Sequence, residues 1–169
     1  GPFHRLGRAA VDAAVDAGCG YVDSTGEPPF LRHVFEVDGP RAEESGARLL
    51  TAFGYDYVPG NLAAAHAIDD AIRAGRPPVH VEVGYFVTGG MSMSSGTRAS
   101  VAGMMETPPF ALRNGVIANT RGQVLEFEVD GRDWQAVPVG GSEHFTLTRI
   151  DDHLRDVSVG IGWAGKWSK

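Results

Sequence analysis

The chain has 169 residues, 43% of them hydrophobic and 21% charged, a balance that fits one folded domain or two lobes sharing a core and excludes disordered and fibrous proteins. With 21 acidic residues against 15 basic ones, no basic run and no aromatic ladder, a nucleic-acid partner is not expected. No apolar run approaches the roughly 20 residues that span a bilayer, the start has no signal-peptide shape, and the single cysteine, Cys19, suits a reducing cytoplasm, so no membrane contact and a cytoplasmic location are expected.

Leu6 to Ala17 places Leu6, Ala10, Ala13, Ala14 and Ala17 at helical spacing, and Gly18 stands where a left-handed cap belongs. A short strand at Tyr21-Val22 leads into Asp23-Ser24-Thr25-Gly26-Glu27-Pro28-Pro29, after which Phe30, Leu31, Val34 and Phe35 restart a helical period. Asp38-Gly39-Pro40 is expected to break that period before Arg41 to Ser45 resumes it. Ala47 to Phe53 reads as a second buried strand, and Asn61 as the N-cap of a helix from Leu62 to about Ala74 closed by Gly75. Helix, strand, helix, strand, helix in that order implies parallel strands joined by crossovers.

After Arg76-Pro77-Pro78 the texture changes. Val79 to Val87 predicts a longer strand, Ser94 or Ser95 caps a helix to about Met105, and Thr107-Pro108-Pro109 stops it. Asn114-Gly115 and Asp130-Gly131 are strong hairpin turns, with Arg121-Gly122 a weaker one. Leu125, Phe127 and Val129 alternate with Glu126, Glu128 and Asp130, as a sheet with one wet face requires, and Val157 to Trp163 supplies a last strand. The expected fold class is α/β: a parallel-stranded part over residues 1–76, then an α+β part with a largely antiparallel sheet over residues 77–169, suited to holding substrate or to pairing with a second copy through a free sheet edge. Gly1-Pro2-Phe3 enters a helical pattern without a methionine, and Trp163 to Lys169 stops as an aromatic-rich segment begins, so both ends read as interrupted.

Four places could carry chemistry. In an open parallel sheet ligands gather at the carboxyl ends of the strands, which singles out Asp23, Thr25 and Glu27 after the first strand and Tyr55, Asp56 and Tyr57 after the second. Either aspartate could hold a hydroxyl or act as a base, and a tyrosine could donate to a developing oxyanion; equally, Asp23 and Thr25 could cap the next helix and the tyrosines could simply pack at the rim. The loop Gly89-Gly90-Met91 through Ser95, Thr97 and Arg98 offers free backbone donors, hydroxyls and a cation to an anionic or carbonyl-bearing ligand, or is a turn whose arginine pairs at the surface. Glu143 and His144 follow Gly140-Gly141-Ser142 and place a titratable pair beside a turn. No strand leads into a G-x-G-x-x-G turn or a lysine-bearing phosphate loop, the histidines lack ligand spacing so no metal site is expected, and no G-x-S-x-G elbow appears.

Taken as a set, Gly1-Pro2-Phe3, Tyr21 to Glu27, Ala52 to Gly60 and Ser94-Ser95-Gly96-Thr97-Arg98-Ala99-Ser100 resemble the saccharopine dehydrogenase-like family, which includes proteins described as trans-acting enoyl reductases. The resemblance implies the later strands of a Rossmann-like NAD(P)-binding domain followed by an α+β domain with a mixed sheet, with the glycine-rich dinucleotide turn falling before this stretch. It also implies NADP or NAD as the cofactor of a full-length relative; for this chain, having no cofactor stays open as the alternative. Asp23 to Glu27 and Phe53 to Gly60 would border the nicotinamide and the substrate. Two other outcomes stay open: a cofactor-free isomerase, cyclase or dehydratase using Tyr55, Asp56, Glu143 and His144, and a non-catalytic binding or dimerisation module.

Overall fold

The computed structural model describes residues 3–88, 108–120 and 123–164. The loop 89–98, the helix expected after Ser94 and the Arg121-Gly122 turn lie outside them. The chain divides into two compact units, one holding the described residues up to Pro59 and the other those from Gly60.

The first unit opens with α1 (Phe3–Leu6) and α2 (Arg8–Asp16). The single helix expected from Leu6 is interrupted at Gly7, where a Cβ would lie 2.8 Å from the Phe30 ring; only a glycine lets the two segments close over that aromatic. The face that packs is also different from the alanine face. Val11, Ala14 and Val15 are buried, whereas Leu6, Ala10, Ala13 and Ala17 are exposed, because the two valines bring far more apolar area to the Phe30, Val34 and Ala42 cluster than alanines can. Gly18 caps α2 at φ 62 as expected, with the Cys19 amide returning to the Ala14 carbonyl at 3.0 Å.

β1 (Gly20–Val22) pairs in parallel with β2 (Arg48–Leu50), with Tyr21 opposite Leu49. Between them run α3 (Pro28–His33) and α4 (Gly39–Ser45), joined without a break by a π-helical turn at Val34–Asp38. Asp38-Gly39-Pro40 therefore does not stop the helix. The Gly39 amide reaches back five residues to the Val34 carbonyl, and Pro40 sits in the first turn of α4, where a missing N–H costs nothing. β2 is shorter than the Ala47 to Phe53 stretch expected, since Ala52 turns into the left-handed region at φ 58, and its alternate residues Arg48 and Leu50 are exposed.

α5 (Val58–Arg73) starts before Asn61, with Pro59 in its first turn; Asn61 is a helix residue rather than its cap, and Gly75 closes the end at φ 72. From Gly60 onward α5 belongs to the second unit, which is why the units divide at Pro59 while the composition changes at Arg76. Its Ala64 and Ile68 pack on Val83, Leu112, Leu147, Leu154, Val157 and Val159.

The sheet of the second unit is built around β8 (Asp156–Ala164). β3 (His80–Thr88) runs parallel to it over its full length, His80 opposite Asp156. The other edge is shared by β4 (Phe110–Arg113), paired at Leu112 with Val157, and β7 (Arg132–Pro138), paired at Val137 and Pro138 with Ile161 and Gly160, both antiparallel. β5 (Val116–Asn119) joins β4 through Asn114-Gly115, and β6 (Leu125–Val129) joins β7 through Asp130-Gly131. Both turns have positive φ at both central residues, as the two hairpins require. Glycines thin the sheet where the hairpin crosses it: a Cβ on Gly160 would lie 2.8 Å from Ala136, and one on Gly162 2.3 Å from the Gln135 carbonyl. Those two open the chain's G-x-G-x-x-G spelling, Gly160 to Gly165; both stand within β8 and serve packing, while Gly165 lies outside the described residues. α6 (Glu143–Thr146), prolonged by a tight turn at Leu147–Arg149, completes the unit. Among the described residues no helix is long and apolar enough to cross a membrane.

Candidate functional site

In the first unit, the loops after β1 and β2 are laced together at their tips. Asp23 is buried, and its carboxylate accepts from the Thr25 amide at 2.8 Å, the Thr51 hydroxyl at 2.8 Å and the Ala52 amide at 3.0 Å, while the Asp23 carbonyl accepts from Phe53 at 2.8 Å. That carboxylate holds Ala52 in its left-handed conformation, a strain that only a tight surrounding structure sustains. Burial raises the neighbouring Tyr21 hydroxyl well above the usual phenol range, helped by its hydrogen bond to the Asp23 carboxylate.

Thr25, also buried, accepts from the Glu27 amide. Glu27 in turn receives the amides of Phe3 and His4 at 3.0 and 2.9 Å and the His4 ring at 2.7 Å. Burial opposes its charge, but those donors hold its carboxyl below the ordinary value. Gly26 sits against Asp56, whose carboxylate would meet a Cβ there at 2.6 Å, and its carbonyl accepts from the buried Tyr57 hydroxyl at 3.3 Å. Gly54 packs on Ser24. Tyr55, 91% exposed, stands outside this lacework, and Asp56, also exposed, borders it at Gly26.

Beside the lacing lies a shallow concavity of about 540 Å³, lined by Phe3, Gly7, Ala10, Tyr21, Val22, Asp23, Ser24 and Phe53. Its apolar walls include Val22 and Phe53, the latter 56% exposed. It sits at the carboxyl ends of two parallel strands, the usual place for a ligand in such sheets. Its wall is apolar at Phe3, Val22 and Phe53 and polar at Ser24 and Asp23. Among the described residues no glycine-rich turn opens a helix beside this concavity.

The second unit holds the other titratable group. Glu143 and His144, at the start of α6, are 0% and 1% exposed. The Tyr85 hydroxyl donates to Glu143 Oε1 across 2.5 Å, and Tyr85 reaches it over Gly60 of α5, where a Cβ would overlap the phenol oxygen. Burial pushes the Glu143 carboxyl up to about 7, with the Tyr85 hydroxyl pulling the other way. Burial also pushes His144 down to about 4; its Nδ1 lies 2.8 Å from the Gly141 carbonyl, and its ring tilts against Phe110 at 5.2 Å. Glu143 Oε2 and His144 Nε2 are buried without a hydrogen-bond partner among the described residues. Asn61 braces the turn before α6 by donating to the Ser142 hydroxyl at 2.9 Å and accepting from the Thr146 hydroxyl. Tyr85 was not singled out by the sequence and Asn61 only as a helix cap; the available signal was Tyr85's place on the inward face of β3, in step with Val81 and Val83.

Gly89, Gly90, Met91, Ser95, Thr97 and Arg98 lie outside the described residues. Asp151, Asp152 and His153 bring possible ligand atoms within 4.8 Å of one another, but Asp152 is solvent-exposed and the Asp151 carboxylate already accepts the His153 amide at 2.9 Å, as a turn cap does.

The motifs resemble saccharopine dehydrogenase-like proteins and trans-acting enoyl reductases, and comparison with known proteins finds partial similarity to proteins of those names. A Mycobacterium tuberculosis protein provisionally named a trans-acting enoyl reductase is 40% identical over 73 residues, 43% of this chain and 17% of that protein. The trans-acting enoyl reductase of Mycobacterium ulcerans is 36% identical over 75 residues, 44% and 18% of the two chains. A saccharopine dehydrogenase-like oxidoreductase of Arabidopsis thaliana is 40% identical over 62 residues, 37% of this chain and 14% of the plant protein. The similarity thus spans less than a fifth of each relative. No family model matches the chain.

Proposed function

We propose that this chain is part of a saccharopine dehydrogenase-like NAD(P)-dependent oxidoreductase that reduces or oxidises a carbonyl, imine or enoyl group. The observation that carries the reading is the apolar concavity at the tips of β1 and β2, in a chain that over 37–43% of its length is 40% identical to proteins named for that chemistry. When bound, NAD(P) supplies the hydride. The chain's own residues do the rest: Phe53, Val22 and Tyr21 wall the ring, Ser24 orients it, and Asp23 keeps both loop tips in place. Tyr57, Gly26 and Gly54 are positioning residues, while Tyr55 and Asp56 are free to meet substrate. Glu143, with a proton available near neutral pH and Tyr85 against it, is the best-prepared carboxylic acid among the described residues, and His144 is its neutral neighbour. Residues 89–98 are proposed as substrate contacts, a second copy as partner through the sheet of the second unit, and the cytoplasm as location.

Isothermal titration of NADPH and NADH into the complete gene product tests the proposal. Saturable binding of one of them supports it. Binding of neither sinks it and leaves the cofactor-free acid–base reading, in which Tyr55, Asp56, Glu143 and His144 act alone.

A further inference from the structure

The second unit carries a cleft of about 870 Å³ on the sheet face that bears His80 and Glu82 of β3, Arg113 of β4 and Asp156 and Ser158 of β8, with Glu126 of the β6–β7 hairpin also on its wall. On these strands residues of one parity face the helices and the others face the cleft, so Val81, Val83, Leu112 and Val157 belong to the core while the polar set is left together outside it.

The charges in this cleft are not matched to one another. Arg113 is held by neutral acceptors alone, its guanidinium donating to the Ser158 hydroxyl at 2.8 Å and to the carbonyls of Leu112 and Val157 at 2.9 and 3.3 Å. Among the described residues no carboxylate pairs with it, and neither Glu82, Glu126 nor Asp156 pairs with a lysine or arginine. Glu82 has only the His80 ring, at 3.4 Å, and Asp156 the Asn114 amide, at 3.2 Å. Ser158 is 3% exposed, so the arginine's anchor is built into the sheet rather than borrowed from the surface. A fixed guanidinium with unused donors, in a cleft that also carries three carboxylates not paired with it, disfavours a simple anion through the carboxylates and a simple cation through the arginine.

We propose that this cleft binds a zwitterionic small molecule, one carrying a carboxylate and an ammonium on a short scaffold, with the carboxylate on Arg113 and the ammonium among Glu82, Glu126 and Asp156. The Arg113 fork matches a planar carboxylate, and Ser158 sets its angle. The site lies in the second unit and stands independently of the oxidoreductase proposal.

Titration of the 169-residue chain with glycine, 4-aminobutyrate and 6-aminohexanoate, followed by backbone amide NMR shifts, tests this, with butyrate, butylammonium and inorganic phosphate as single-charge probes. At least one amino acid should give saturable shifts at Ala111, Arg113 and Ser158, with affinity about ten-fold or more above each single-charge probe, as two matched charges in a partly desolvated cleft imply. Arg113→Gln should abolish that binding. Because Arg113 also ties two strands together, Glu82→Gln serves as a second variant on an accessible side chain: it should weaken the amino acid and strengthen butyrate. No saturation with any amino acid, equal binding of a single-charge probe, or a Glu82→Gln effect of one sign on both ligands would overturn the assignment.

Discussion

Tyr85 and Glu143 meet hydroxyl to carboxyl at 2.5 Å, although 58 residues separate them in the chain. The contact places the most strongly perturbed acid of the second unit beside a donor that stabilises its ionised form, inside packing that favours its neutral one.

The pH dependence of stability follows from that conflict and from its neighbour. Glu143 titrates near 7 in the folded protein against an ordinary 4.5, so its contribution is fully present below 4.5 and is lost as pH rises through 7. His144 titrates near 4 against 6.5, so the folded state gains as pH rises from 4 to 6.5. The two slopes oppose each other over most of that window. Urea unfolding from pH 4 to 8 should show a shallow plateau for the parent, whereas Glu143→Gln should uncover a rise of roughly 2–3 kcal/mol toward pH 6.5. An unchanged profile in the variant would show that Glu143 is not the group responsible.

Removing the donor tests the same pair from the other side. Tyr85→Phe should raise the Glu143 pKa further, readable by carboxyl carbon NMR, and cost about 1–2 kcal/mol of stability. Gly60→Ala should cost more, since its methyl would occupy the phenol oxygen's position. A Glu143 pKa that falls on Tyr85→Phe would contradict the hydrogen bond's direction.

At the strand tips, Asp23→Ala should cost about 2–4 kcal/mol, because the Thr25 and Ala52 amides and the Thr51 hydroxyl lose their acceptor together. Asp23→Asn should recover part of that, as one side-chain oxygen remains. Denaturant midpoints read both; equal losses for the two variants would mean charge, not hydrogen bonding, holds the loops.

Two glycines provide a paired comparison. Gly162→Ala presses a methyl onto the Gln135 carbonyl and should cost more than about 2 kcal/mol, while Gly20→Ala meets open space and should be neutral or gain a few tenths. Thermal midpoints that shift equally would contradict the close packing of β7 on β8.

Much of this fold was readable in the chain because its signals are local. Asn114-Gly115, Asp130-Gly131, Gly18 and Gly75 each dictate a backbone conformation within a few residues, and all four take it. What escaped was non-local. The parallel pairing of β3 with β8, the meeting of Tyr85 with Glu143 and the bracing of Ser142 by Asn61, 81 residues away, depend on topology that no window along the sequence contains. Helix faces failed for a different reason: the alanine stripe of α2 has the right period, but Val11 and Val15 bury more area and turn the helix their way. Of the candidate site, Asp23, Thr25, Gly26, Gly54 and Tyr57 do come together, as structural lacing around a concavity, while Glu143 and His144 are buried in the other unit.

Amide hydrogen exchange on the complete gene product, with and without NADPH, tests the central claim most directly, because it locates the cofactor as well as detecting it. Slowed exchange at Val22 to Ser24 and Ala52 to Gly54 is the expected result, reduced by Phe53→Ala. Protection confined to other segments, or none at saturating NADPH, would contradict a cofactor wall at the tips of β1 and β2.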